Sequence, residues 1–546
     1  MKRKGVRTIR IIFLTLFIFS LFGVWERAGA VIELLDGRVL LKGSFDEVWI
    51  LRTHIPIQER SHHNSNIGLM MTTARLESLV TWAKCGDLTV QTQSIFRYYM
   101  EHITALDREM HAALFPGNRN QYEYPTYYHD DPINELFVDI IKGPWDIRLG
   151  KQIVTWGETS LERTSDVVNP LDLRYGNPAL FPFEDLKIGL WMLRTFYQSN
   201  LPGNLLFETI FSPGDHQMMR LPVEGTNWGP GLTDFNNPNT RGFGNYLFTM
   251  LQNTWKDAAP NRLRNIKNFQ WGTRVTGMSY GANWTLQYFD QVDWLPTGFP
   301  DKANQLAYSQ INNFVDYNPT PNVPVPTGKI WKYYRTKSVG GTIQYYEPEY
   351  LKGIIRGEFA WTIGQHYNTR NIDENRITIP AYKDTKGNYW PETTSRSNSL
   401  VTGIVRKDSV AYGIAIDRPV LWPWLMQYND DRKLDITVQL LQDWIISHQH
   451  DMNVSGRGVG DASRTIVTTS IQSSWRRQEI MTTFQNNYNF TGKGYQIFDF
   501  FYAPGDHWRY SVGCIFYWTN LNKASYYNER GSYDKDCVYF KLKYEW

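Results

Sequence analysis

Between Arg148 and Glu158 the chain reads Arg-Leu-Gly-Lys-Gln-Ile-Val-Thr-Trp-Gly-Glu, which sets Arg148, Lys151, Gln152 and Glu158 close together. Glu162, Arg163, Asp166, Asp172 and Arg174 follow. Charges of both signs at this density can line a narrow, poorly solvated gap, where a transverse field orients polar solutes and filters ions. They can also pair with one another and hold structure: Glu158 against an arginine of a neighbouring strand, and Trp156 as an interfacial belt residue. A catalytic use is weaker. His62-His63 and His448-Gln449-His450 could join nearby Ser or Asp residues as a base and its partners. No Gly-x-Ser-x-Gly elbow presents a nucleophile, and no His/Cys spacing suits a metal. The reading is therefore a non-enzyme without cofactor, in which the charged residues act by position and field.

Positioning such a stretch requires a frame, and the end of the chain supplies its signature. From Asp536 to Trp546 there is no Gly or Pro. Val538, Phe540, Leu542, Tyr544 and Trp546 fall on one side of a strand, and Lys541, Lys543 and Glu545 fall on the other. An apolar face with a charged reverse suits a soluble two-layer protein, or a membrane barrel with lipid outside and water inside. A strand that ends on a bare aromatic resembles the closing strand of bacterial outer-membrane β-barrels.

The beginning of the chain agrees with export. Lys2, Arg3, Lys4, Arg7 and Arg10 precede an apolar run from Ile11 to Val24, and Ala28-Gly29-Ala30 offers a small-residue cleavage site. Residues 1–30 read as a signal peptide. The formal charge of +3 belongs to this leader. Without its six cations and Glu26 the balance falls to about −2, which removes any electrostatic case for nucleic-acid binding. Aromatic residues make up 15% of the chain, and no later stretch approaches a helical membrane span. The three cysteines, Cys85, Cys514 and Cys537, leave at least one unpaired; a bond between Cys514 and Cys537 stays open.

Period-2 alternation between turn residues predicts strands near 45–54, 67–83, 87–101, 133–142, 145–155, 186–199, 203–212, 269–280, 282–294, 333–347, 350–366, 400–417, 433–448, 464–475, 479–490, 494–503, 507–519 and 536–546. Short turns follow the even strands, and long Asn/Pro/Gly-rich stretches follow the odd ones. That sorting belongs to an outer-membrane barrel. Two connections break it: 418–432 is long on the periplasmic side, and the link after Asn489 is short on the outer side. The expected fold is all-β, one transmembrane antiparallel up-and-down β-barrel over residues 31–546 with about 18 strands, 16 being the second choice. A lumen of that width is a channel unless loops obstruct it.

The segment with Gly150, Lys151, Gln152, then Trp156, Gly157 and Glu158, then Asn169 and Pro170, resembles a family of proteobacterial outer-membrane proteins known mainly as a domain of unknown function. Its signature is Gly-Arg/Lys-Gln, Trp-Gly-Glu and Asn-Pro, and a weaker match follows at Gly413 to Pro419. The resemblance implies a porin-like barrel and an association with transport of hydrophobic compounds or lipids. The layout is also similar to trimeric porins, which implies that the third outer loop, residues 156–185, folds into the lumen and narrows it. Asn169-Pro170 favours a turn there, and Gly157 allows backbone conformations closed to other residues.

The expected function is a porin-like channel in the bacterial outer membrane for passive or substrate-selective passage of small solutes. The alternative is the barrel component of a lipid or hydrophobic-compound transport system, with a periplasmic partner engaging 418–432. An outer-membrane enzyme ranks last. Expected partners are outer-membrane lipid, the barrel-assembly machinery and further copies of the chain.

Overall fold

The computed structural model describes residues 31–53, 67–101, 132–158, 164–173, 181, 183–213, 219, 268–294, 297–298, 331–370, 376–379, 382–383, 389–390, 393–396, 401–420, 434–449, 452–453, 462–476, 478–490, 492–519 and 536–546. Eighteen antiparallel strands pair in chain order: β1 (Val39–Arg52), β2 (Ile67–Cys85), β3 (Leu88–Glu101), β4 (Ile133–Lys142), β5 (Trp145–Gln152), β6 (Leu190–Gln198), β7 (Leu206–Ser212), β8 (Gln270–Ser279), β9 (Ala282–Val292), β10 (Arg335–Glu347), β11 (Gly353–Arg370), β12 (Val401–Val420), β13 (Leu434–Ile445), β14 (Ser463–Trp475), β15 (Ile480–Asn489), β16 (Lys493–Tyr502), β17 (Trp508–Thr519) and β18 (Cys537–Glu545). The last strand pairs with the first, Val538 opposite Leu51 and Tyr544 opposite Phe45, so the sheet closes on itself. Closure leaves no edge strand to be solvated, which is what a sheet in lipid requires.

Alternation assigns the two faces. On β11, Ile355, Phe359, Trp361 and Ile363 point outward, while Arg356, Glu358 and Thr362 point inward across from polar residues of β10. Leu149, Leu286, Ile343, Ile414, Phe500 and Val512 are among the exposed residues of the outer wall. On β18, Val538, Phe540, Leu542 and Tyr544 are outward, and the Trp546 ring stacks on Phe45 at 5.4 Å. Trp546 also exchanges backbone hydrogen bonds with Gly43. A wall apolar outside and polar inside is the inverse of a soluble protein, and its solvent is lipid.

The two rims differ. At one rim the connections are short, such as Gly86–Asp87, Gly143–Pro144, Tyr280–Gly281 and 503–507, with 421–433 as the long one. The other rim carries 53–66, 102–132, 153–189, 213–269, 293–334 and 371–400, with Phe490–Gly492 as the short one. The long connection 421–433 and residues 1–30, where a signal peptide is expected, lie outside the described residues.

The register settles one open point of the wall and changes two expectations. Cys514 faces outward opposite Val538, while Cys537 faces inward opposite Ile515, so the pleat keeps the two thiols on opposite sides of the wall and all three cysteines are free. The fifth strand ends at Gln152 rather than 155, and the sixth begins at Leu190 rather than 186. Lys151 is on the wrong face for a lumen residue, as the site geometry shows.

Candidate functional site: a loop folded into the barrel

The chain leaves the wall after Gln152 and returns to it at Leu190. Asn169 explains why the strands stop there. Its Oδ1 accepts from the Val154 N–H at 2.8 Å, and its Nδ2 donates to the Gln152 and Ile188 carbonyls at 3.2 and 2.8 Å. One fully buried side chain thus takes the bonds that the two stems would otherwise give each other. Ile188 N–H donates to the Pro170 carbonyl, and Asp172 N–H to the Leu186 carbonyl, so the returning stem pairs with 170–172 instead.

From this clamp the loop packs against the inner wall on one side of the barrel. Val154, Trp156 and Val168 form a buried cluster with Leu190, Met192, Ile210 and Phe289 from β6, β7 and β9. Trp156 is 1% exposed, and its ring meets Phe289 edge to face at 5.8 Å. Its indole N–H donates to Glu208 at 3.0 Å. It is therefore no belt residue; it is the anchor of the loop inside the barrel. Glu208, equally buried, also receives Arg194 at 2.7 Å and Arg274 at 2.8 Å. One carboxylate serving two guanidiniums and an indole N–H is fully engaged, as burial demands.

Further along, the loop reaches β11. Ser165 donates from its N–H at 3.1 Å and its hydroxyl at 2.6 Å to Glu358 Oε2, and Gln287 of β9 donates to the Ser165 carbonyl. Arg356 donates to the Glu158 carbonyl at 2.6 Å while pairing with Asp417. Gly157 does not use a left-handed conformation. It is needed because a Cβ there would lie 2.9 Å from the Asp166 Cβ and 3.2 Å from Glu358, so loop and wall meet too closely for a side chain.

The returning arm reaches the other side. Within the short 3-10 turn Phe183–Leu186, Asp185 Oδ1 accepts from Arg97 of β3 at 2.5 Å and from Arg75 of β2 at 3.2 Å. Arg97 also donates to the Asp185 carbonyl. Phe181 packs on the inward apolar patch formed by Val48, Ile50, Leu69, Met71, Ile497, Ile515, Cys537 and Tyr539. β2 and β3 stand eight or nine strand positions from β11 in a barrel of eighteen, so the loop is tethered to roughly opposite walls. Within it, buried Lys187 pairs with Asp166 at 2.6 Å and donates to Thr155 Oγ1.

The arginines on this side of the lumen need those carboxylates. Arg75 lies directly opposite Arg97, and Arg148 directly opposite Arg194. Like charges across a ladder repel. Asp185 bridges the first pair; Asp146 at 2.9 Å and Asp139 at 3.6 Å neutralise Arg148, and Glu208 neutralises Arg194. Arg148 is also in reach of the Phe137 and Phe196 ring faces.

The sequence-derived residues separate accordingly. Arg148 is inward and ion-paired. Gln152 is inward but buried, its amide donating to the Met192 carbonyl at 3.3 Å. Lys151 pairs in register with outward Leu136 and Trp191, and its ammonium donates to the Ile133 carbonyl at 2.6 Å, because a strand cannot place consecutive residues on one face. Asp166 is in the buried pair with Lys187, and Glu158 is exposed beside Arg356. Asp172 belongs to the stem. Glu162, Arg163 and Arg174 lie outside the described residues. Gly150 has φ of 144°, and a Cβ there would fall 2.2 Å from the Leu136 carbonyl. Asp185, Lys187, Glu208 and Glu358 were not among the sequence-derived site residues. The inward face of β7 and β11 was readable for Glu208 and Glu358, whereas nothing in a loop marks Asp185.

Among solved structures the chain is similar to OccAB1 of Acinetobacter baumannii, with a TM-score of 0.43 and 7% identity over 93% of this chain and 95% of that one. It is also similar to OpdK of Pseudomonas aeruginosa solved with vanillate, with a TM-score of 0.41 and 6% identity over 93% and 98%. A third is Salmonella typhi OmpF in complex with daunomycin, with a TM-score of 0.39 and 9% identity over 94% and 100%. No curated protein matches. Across residues 123–381, a little under half of the chain and including the whole inward loop, the sequence matches the family described as "Protein of unknown function (DUF1302)".

Proposed function

We propose that the protein is an outer-membrane channel for small polar or charged solutes, in which the segment between β5 and β6 forms the constriction. The observation that carries this reading is the pair of tethers on opposing walls, Ser165 to Glu358 on β11 and Asp185 to Arg97 on β3. A segment held at both sides divides the water-filled cross-section and brings charged groups of both signs to the passage: Arg75, Glu77, Arg148, Asp146, Asp185, Arg356 and Asp417 all retain partial exposure. Fixed charges at a narrow gap select by sign and by dipole. The loop residues act by position; none is assigned a chemical step.

A second reading has one observation in its favour. The inner wall of β1, β2 and β16–β18 carries an apolar patch under Phe181, where water-filled lumens are ordinarily polar. That patch suits a hydrophobic solute, in keeping with the alternative of hydrophobic-compound transport. Planar-bilayer recording of the purified protein separates the two. Discrete ohmic steps that grow when residues 158–175 are deleted support the constricted channel. A closed barrel that binds an apolar fluorophore, lost on Ile50→Asn, supports the second; steps unaltered by the deletion reject the constriction.

A further inference from the structure

The wall is not knitted evenly. Between β6 and β7 the ladder holds six register pairs, from Gln198–Leu206 at the rim of short connections up to Leu193–Phe211. No other of the eighteen seams is as short among the described residues. At about 2.5 Å of height per residue in a tilted strand, this one climbs about 15 Å of an apolar band about 25 Å tall. Outward Tyr197 and Phe207, with ring centroids 6.5 Å apart, mark the foot of the band, so the seam ends inside the hydrocarbon. Above it Leu190, Trp191 and Met192 stay paired with β5, and no strand continues the ladder on their β7 side among the described residues. β7 stops at Ser212, and Pro213 brings no N–H to be satisfied. The Ser212 hydroxyl spans the next step, donating to the Trp191 carbonyl at 2.9 Å. A wall that only had to seal would carry this ladder on through the band, since lipid satisfies no free backbone group.

Beside the open end, on the outer face, lies a groove of about 580 Å³, a size suited to one small apolar molecule. Leu149, Trp191, Leu193 and Phe211 line it. Its floor is a single register row, Phe137, Gly150 and Met192, that belongs to the lumen face. Gly150 puts no side chain there, so the wall is thin at this row. Met192 lies in the groove floor and also in the buried cluster that docks Val154 and Trp156 of the loop. The lining from lipid to loop is therefore apolar: Phe211 outside, Met192 in the wall, Ile210 and Val154 within. The unbranched, flexible thioether of Met192 is well suited to swing aside. We propose that the split is a side door. An apolar solute passes through it between the lumen and the half of the bilayer nearer the long connections, when the base of the loop shifts. The door rests on the second reading above, that the lumen takes a hydrophobic solute, and adds the route by which that solute reaches lipid.

The probe is N-phenyl-1-naphthylamine, an apolar fluorophore that brightens in lipid, offered to intact cells with and without the full-length protein. Cells making the wild-type chain should take it up at least fivefold faster than cells lacking it. In a chain whose Cys85, Cys514 and Cys537 are changed to Ser, Trp191→Cys with Pro213→Cys sets a thiol on each side of the split, and oxidation staples the seam. The stapled protein should bring uptake down to the rate without protein, and dithiothreitol should restore it. Leu149→Trp, which fills the groove from the lipid face, should slow uptake in the same way. In vesicles of the unaltered chain, a diazirine-bearing alkane dissolved in the bilayer should label Met192 and Val154 and spare Leu441, a buried lumen-face residue of β13 behind unbroken ladders. No uptake by the wild type would reject the hydrophobic-solute reading and the door together. Uptake that neither the staple nor Leu149→Trp alters would reject the door and leave the reading standing. Labels confined to outward residues would also overturn the door, and this measurement decides the matter should the variants fail to fold.

Discussion

Replacing Asp185 by Ala removes the carboxylate that ties the inward loop to β2 and β3. Its bond from Arg97 spans 2.5 Å, and the Arg97 side chain is only 6% exposed, so this is a charge-assisted contact in partly dry surroundings. Such a bond contributes about 2 kcal/mol net. The contact to Arg75 is longer and better solvated, and Arg75 also holds Glu77 at 2.7 Å, so its loss adds less than about 1 kcal/mol. Arg97 keeps the Asp185 carbonyl and the Tyr99 hydroxyl as acceptors, which limits the penalty of leaving it buried. The sum of about 2–3 kcal/mol raises the population of undocked loop about 30- to 150-fold, at about 1.4 kcal/mol per decade. Single-channel recording reads this as added open-state noise and excursions to a larger conductance, since the barrel wall does not depend on the contact. Asp185→Glu should recover part of the quiet state. Wild-type conductance and noise from a fully folded Asp185→Ala barrel would refute the latch.

Trp156→Phe keeps the ring in its cluster but removes the indole donor from Glu208, which retains Arg194 and Arg274; a loss of about 1–2 kcal/mol is expected in reversible urea unfolding, and an unchanged midpoint would argue that the bond is not formed. Gly150→Ala must hold a side chain at φ of 144° and 2.2 Å from the Leu136 carbonyl, so a loss of about 1–3 kcal/mol in the same titration is expected, whereas an unaffected variant would show that β5 can relax. Alkylation of the unfolded, unreduced protein should add three labels, at Cys85, Cys514 and Cys537; one label alone would reveal a disulfide that the opposite faces of Cys514 and Cys537 forbid.

The wall was legible because a membrane barrel writes one rule on every strand. Period-2 alternation located all eighteen strands, and the contrast between Lys84-Cys85-Gly86 or Gly143-Pro144 and the long stretches opposite them assigned the two rims. The loop was legible in its position and not in its contacts. Asn169 reads as a turn residue beside proline, yet its side chain clamps both stems, a role set by Val154, Gln152 and Ile188 from distant points of the loop. Trp156 reads as an interfacial aromatic because aromatics abound at interfaces; only the fold shows that Glu208 and Phe289 await it inside. Lys151 obeys the same rule as the wall, since alternation with Arg148 and Gln152 already excludes it from the lumen face. Ion pairs such as Asp185 with Arg97 join segments far apart in sequence, and no local pattern announces them.

The central claim is that the eighteen strands close with lipid outside and water inside, and β18 tests it most directly. Nitroxide labels placed singly from Val538 to Glu545 in reconstituted vesicles report contact with lipid-soluble oxygen or with a water-soluble nickel chelate. Oxygen should dominate at 538, 540, 542 and 544, and the chelate at 541, 543 and 545. Loss of the alternation, or oxygen access at the odd positions, would contradict the closed barrel.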